Sequence, residues 1–149
     1  MDRNIHHWCK FIEKQRPKIE LLARDLERYG AIIALHNTRD VSNIAYIARF
    51  HSPDNLAVTT IRLAFMDYQT ESDIVITNIT TLPDTEYRKG HGSCAVQLVL
   101  QWAKHHALNE VRATQIDRGN TAVQLFWKKN GFVRCTKPNP CNDFVCTLS

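Results

Sequence analysis

Arg88-Lys89-Gly90-His91-Gly92-Ser93 decides how this chain is read. Before it runs Ile74-Val75-Ile76-Thr77-Asn78-Ile79-Thr80-Thr81-Leu82, rich in the β-branched residues that favour strands. After it runs Cys94 to His106, with Ala95, Leu98, Val99 and Trp102 at helical spacing. Strand, glycine loop and helix in that order aim several backbone N–H groups at one spot. The helix dipole and the flanking Arg88 and Lys89 make that spot attractive to a phosphate. Glycine suits it because a Cβ would hold an anion away from the backbone. The stretch reads as an anion cradle.

Upstream, the first thirty or so residues read as helix in two pieces. Trp8, Phe11 and Ile12 fit one face, and Ile19, Leu22, Leu26 and Tyr29 the next. Pro17 suits the first turn of the second piece and Gly30 its stop. Basic and acidic side chains alternate along this segment, which points to an exposed helix face rather than a nucleic-acid arm. Beyond Gly30 come four strand candidates: Ala31–His36, Ile44–His51, Ala57–Asp67 and Asp73–Leu82. Their short connections, Asn37–Asp40, Ser52–Asn55 and Gln69–Ser72, favour an antiparallel meander. Downstream of the glycine loop the order is helix (Ser93–His106), strand (Glu110–Ile116), helix (about Asn120–Asn130) and a hairpin. That hairpin pairs Phe132–Cys135 with Phe144–Leu148 across Pro138-Asn139-Pro140. The expectation is one α+β domain spanning residues 1–149, with residues 1–30 as N-terminal helices. Its sheet is mixed but mostly antiparallel, with helices on both faces.

At 149 residues and 44% hydrophobic content, the chain can bury a core. The longest apolar runs fall short of a membrane span. The opening Met1-Asp2-Arg3-Asn4-Ile5-His6-His7 lacks the apolar core of a signal peptide, so a soluble, cytoplasmic protein is expected. The net charge of +4, from 19 Lys+Arg and 15 Asp+Glu, suits an anionic small molecule better than nucleic acid. Five cysteines (Cys9, Cys94, Cys135, Cys141, Cys146) read as free thiols. The spacing C-x5-C-x4-C is too wide for a zinc site, and His6, His7, His105 and His106 read as solvated pairs, so no metal is expected.

A second motif follows: Asn120-Thr121-Ala122-Val123-Gln124-Leu125-Phe126-Trp127-Lys128-Lys129-Asn130-Gly131-Phe132. Asn120 is a good N-cap, and Gly131 sits where a left-handed residue ends a helix. Together the two motifs resemble the GNAT superfamily of acyl-CoA N-acyltransferases. Members carry (Q/R)-x-x-G-x-(G/A) after the fourth strand and N-x-x-A-x-x-(L/F)-Y-x-x-x-G-F further on. The resemblance covers Asp73–Phe132 in order and spacing, together with the terminal hairpin. It implies acetyl-CoA as co-substrate and an amine-bearing acceptor, small molecule or protein. It also implies site residues. The backbone at Thr80, Thr81 and Leu82 would meet the pantetheine arm where the fourth and fifth strands splay. The amides from Arg88 through Lys89, Gly90, His91 and Gly92 to Ser93 would hold the pyrophosphate. Asn120 would orient the pantetheine or acyl end, Phe126 would pack beside the cofactor, and Lys128 or Lys129 would meet the adenosine phosphates.

The sequence departs from the family pattern at two points. Tyr87 stands where the family has Gln or Arg, with Arg88 one place late. Trp127 stands where the family has the Tyr that protonates the leaving thiolate, and an indole N–H lacks the acidity for that. It remains a candidate cleft residue, able to pack there and donate its N–H to a ligand. The strand before the loop also offers no central Glu or Asp as base. His51, His91, Tyr87 and Cys94 are the polar side chains left to consider, and none stands out as catalytic. Three functions follow: an N-acetyltransferase; a protein of the same shape that binds acyl-CoA as a sensor or interaction module with lost or altered catalysis; and, resting only on the mild basic balance, a nucleic-acid-acting protein.

Overall fold

A computed structural model describes residues 17–36, 43–66, 74–114, 116–117, 119–135 and 143–148. The expected first helical piece, the turns at Asn37–Asp40 and Gln69–Ser72, the Pro138–Pro140 turn, Cys9 and Cys141 lie outside those residues.

Residues 17–24 are helical (α1) and tighten into a 3-10 turn at Asp25–Tyr29. Gly30 closes this segment at φ 95, where its amide returns to Glu27 O and Leu26 O. The apolar stripe does what its spacing predicts. Ala23 and Leu26 are fully buried, with Ile19, Leu22 and Tyr29 packed against the core.

Seven strands form one sheet in the order β1-β2-β3-β4-β5-β7-β6. The first four are β1 (Ala31–His36), β2 (Asn43–His51), β3 (Val58–Met66) and β4 (Ile74–Leu82), and they meander antiparallel. The turn between β2 and β3 is held by Asp54, whose carboxylate accepts from Ser52 Oγ at 2.6 Å and Leu56 N at 3.0 Å. Helix α2 (His91–His105) then carries the chain to β5 (Glu110–Ala113), which pairs parallel to β4. Helix α3 (Thr121–Lys129) leads to β6 (Val133–Arg134) and β7 (Phe144–Thr147). Strand β7 inserts between β5 and β6, antiparallel to both.

One core face is built from alternate residues of adjoining strands: Tyr46, Ile61, Leu63, Ile74, Ile76 and Val111, all at 0–1% exposure. Phe65 stacks edge-on against Tyr46 at 5.7 Å and against Trp102 of α2 at 6.3 Å. The Trp102 indole N–H donates to Leu22 O at 3.0 Å, so α1 and α2 share that face. Helix α3 joins them there, because Phe126 and Ile79 both approach Gly92 of α2. The expectation of helices on both faces is therefore met on one face by the described residues; residues 1–16, where a further helix is expected, lie outside them. No described helix is long and apolar enough to cross a membrane.

Candidate functional site

Strands β4 and β5 stay together for only three pairs, Ile74↔Val111, Val75↔Arg112 and Ile76↔Ala113. Thr114 N still donates to Ile76 O at 3.1 Å, and then the two strands part. From Thr77 onward β4 keeps β3 on one side and, among the described strands, has no partner on the other. A parallel pair that opens in this way leaves backbone N–H and C=O groups facing a cleft. The cleft measures about 650 Å³ and runs from the divergence to the N-terminus of α2.

Helix α2 starts earlier than the sequence suggests, at His91 instead of Ser93. Glycine has poor helix propensity, which hides these two extra residues from a reading of the sequence. Gly90 is the N-cap at φ 88, a conformation that glycine adopts without steric cost, and Arg88 before it is also left-handed at φ 68. Cys94 N is bonded to Gly90 O at 3.0 Å. The amides of His91, Gly92 and Ser93 come before that first helical bond and have no carbonyl within the helix to meet. They are the backbone donors that the glycine pattern led one to expect at this helix start. Gly92 also has a packing role: a Cβ there would lie 3.3 Å from Phe126 Cε1 and 3.8 Å from Ile79 Cδ1.

Of the residues expected at the site, Thr80, Thr81, Arg88, Gly90, His91, Gly92, Ser93, Phe126, Trp127 and Lys129 line this cleft, as does Tyr87. Leu82, Lys89, Asn120, Lys128, His51 and Cys94 are not among its lining. The Thr81 hydroxyl is tied to Thr59 Oγ1 at 2.9 Å. The side chain of Asn120 caps α3, accepting from Val123 N at 3.0 Å. Lys89 turns back onto Glu86 in an ion pair instead of facing the cleft.

Sequence reasoning missed Glu86. Its side chain is 9% exposed and sits beneath the loop, pairing with Lys89 while its other oxygen lies 3.5 Å from His91 Nε2. That nitrogen is buried and makes no hydrogen bond. The Lys89 hydrogen bond holds the Glu86 carboxyl below the usual carboxylate range, so it is ionised at neutral pH. An acid in a loop gives no sequence signal of burial.

The sequence marks Asn130 only as the approximate end of a helix. It is 4% exposed and fixes the two helices to each other, with Nδ2 donating to Ser93 Oγ at 3.1 Å and Oδ1 accepting from Gln97 Nε2 at 3.1 Å. Trp127 is 3% exposed, edge-on to Phe126 at 5.1 Å and Phe132 at 4.9 Å. Among the described residues no group of three or more His, Cys, Asp or Glu could hold a metal ion.

No protein-family model and no curated protein matches the sequence. Solved structures do match. An acetyltransferase of the GNAT family from Staphylococcus aureus Mu50 is 16% identical at TM-score 0.51, over 100% of this chain and 96% of its own. The fold is that of the GNAT acetyltransferases. Nourseothricin acetyltransferase is 9% identical at TM-score 0.50, covering 80% of this chain and 85% of its own. A domain from Methanocaldococcus jannaschii is 17% identical at TM-score 0.50, over 72% of this chain and 66% of that domain. Read as a GNAT fold, the cleft lies between the diverging strands, with the α2 amides at one end and Trp127 along its wall.

Proposed function

We propose that the protein is an N-acetyltransferase that moves an acetyl group from acetyl-CoA to the amine of an acceptor. The observation that carries this is the parting of β4 from β5 after Ile76, in line with the open amides of His91, Gly92 and Ser93. An extended, amide-containing arm fits the free edge of β4, and a pyrophosphate fits the helix N-terminus. Arg88 and Lys129 line the cleft as cations for the phosphates. The match to two structures described as acetyltransferases, one of them of the GNAT family, supports the same reading.

In the reaction the thioester C–S bond breaks and a C–N bond forms. The amine gives up one proton and the leaving thiolate takes one. Backbone N–H groups at the free edge of β4 are suited to polarise the carbonyl, and holding both reactants in one cleft contributes on the order of 7–11 kcal/mol in favourable cases. Trp127 supplies no acid, and Glu86 is an ionised carboxylate already engaged by Lys89. Tyr87 and His91, which also line the cleft, and solvent are the routes left for the two protons.

The second reading, an acyl-CoA-binding protein without turnover, is favoured by one observation: Trp127 is packed between Phe126 and Phe132 where a proton donor would be needed. Thiol release from acetyl-CoA, measured across a set of amines, separates the two. Acetyl transfer predicts amine-dependent release that rises in Trp127→Tyr. Tight acetyl-CoA binding without amine-dependent release in either protein would favour the second reading.

A further inference from the structure

The β3–β4 ladder pairs Ile61 with Ile79 and Arg62 with Asn78, then Leu63 with Ile76. Thr77 is thus one residue too many in β4, a bulge. Bulges bend a strand and re-aim a side chain. Here the bulge falls on the first residue after the last β4–β5 pair, where the cleft opens. Thr77 Oγ1 accepts from Arg62 Nη1 at 2.6 Å. The register sets Arg62 beside Asn78, on the sheet face away from the helices, and both Thr77 and Asn78 line the cleft.

Arg62 is half-buried, and among the described residues no carboxylate pairs with it. By contrast, Arg24, Arg28 and Arg112 each have an acidic partner. Thr77 is neutral and engages one N–H of the five that a guanidinium offers. Holding a cation partly out of water without a counter-charge is costly. A planar fork fixed at one corner is suited to grip a carboxylate or phosphate through its remaining N–H groups. Arg88, the cation of the cradle, follows the far end of β4, and five residues of strand from Thr77 to Leu82 span about 16 Å. Arg62 is not itself among the residues lining the cleft; its guanidinium adjoins it through Thr77, at the end of β4 opposite Arg88.

We propose that Arg62 determines acceptor specificity, and that the acceptor amine carries an oxyanion, carboxylate or phosphate, which Arg62 binds. This rests on the acetyl-transfer reading above. The test compares matched amines as acceptors: L-phenylalanine with phenethylamine, L-lysine with cadaverine, and O-phosphoethanolamine with ethanolamine. One oxyanion-bearing class is expected to show kcat/KM higher than its plain partner by about tenfold or more, the size of a charge-assisted pair. Preference in the amino-acid pairs assigns a carboxylate, and preference in the phosphoethanolamine pair a phosphate. Arg62→Met is expected to erase the preference while the calorimetric affinity for acetyl-CoA stays unchanged. Arg62→Lys, which keeps charge but loses the fork, should retain part of it. Equal rates within every pair, acetylation of none of the oxyanion-bearing amines, or a preference that survives in Arg62→Met would overturn the proposal. Wild-type protein that binds no acetyl-CoA would overturn the acetyl-transfer reading and this proposal with it, whereas binding without discrimination overturns this proposal alone.

Discussion

The two ends of helix α2 are built in opposite ways. At its N-terminus, Gly90 offers no side chain to cap the helix, and the amides of His91, Gly92 and Ser93, residues that line the cleft, precede the first helical bond. At its C-terminus the polar groups are used internally. His106 N donates to Trp102 O at 3.1 Å and Leu108 N to Ala103 O at 3.0 Å. Trp102 reaches Leu22 O, and His106 Nε2 lies 2.6 Å from Asp25 Oδ2. Arg28 bridges Asp25 and His105 at 3.0 and 3.2 Å. One end leaves its first amides without helical partners, and the other uses its polar groups to hold α1 in place. Substitutions at the closed end should change stability, and substitutions at the open end should change binding.

The largest effect is expected at the closed end. Trp102→Ala removes a fully buried indole and should cost about 3–5 kcal/mol in urea unfolding. Next comes Gly92→Val, which should weaken CoA binding by roughly a hundredfold or more, because the β-branched side chain crowds the open amides. It also presses on Phe126, so this variant should lose about 1–3 kcal/mol of stability, which blurs the division between the ends at this one residue. Unchanged CoA affinity in folded Gly92→Val would remove the loop from the binding site.

Two milder substitutions sharpen the contrast within the loop. Arg88→Met should reduce CoA affinity by about tenfold, whereas Lys89→Met should change it by less than about threefold, because the Lys89 charge is already matched by Glu86. Equal losses in calorimetry would mean that Lys89 leaves Glu86 to meet the phosphates.

The smallest effect is the pH dependence at the closed end. The His106 hydrogen bond holds the Asp25 carboxyl below its ordinary value of 3.8. A carboxyl lowered on folding contributes stability that is complete above its unfolded value and is lost as pH falls through the folded one. Asp25→Asn should therefore be less stable than the wild type at pH 7, with the gap closing below about pH 4. A gap that stays constant through thermal melts in that range would show that the ion pair contributes nothing.

Much of this arrangement was legible in the sequence because it rests on local patterns. Strand β1 runs from Ala31 to His36, as the sequence reading has it after the stop at Gly30, and the bounds of β2, β3 and β4 differ from that reading by one residue at one or both ends. The loop and the helix after it were legible because two glycines stand directly before an amphipathic run. What stayed hidden depends on partners distant in sequence. The bulge at Thr77 exists only against β3, the burial of Glu86 only beneath its own folded loop, and the Trp102–Leu22 bond across 80 residues. Asn120 shows the converse: its capping role was visible locally and is what its side chain does, while its expected contact with a ligand lies beyond the lining of the cleft.

Calorimetric titration with acetyl-CoA tests the central claim most directly. The cleft and its open helix end predict a single site with a Kd on the order of micromolar, lost in Gly92→Val. Absence of binding in protein shown to be folded would contradict the assignment of this cleft to CoA.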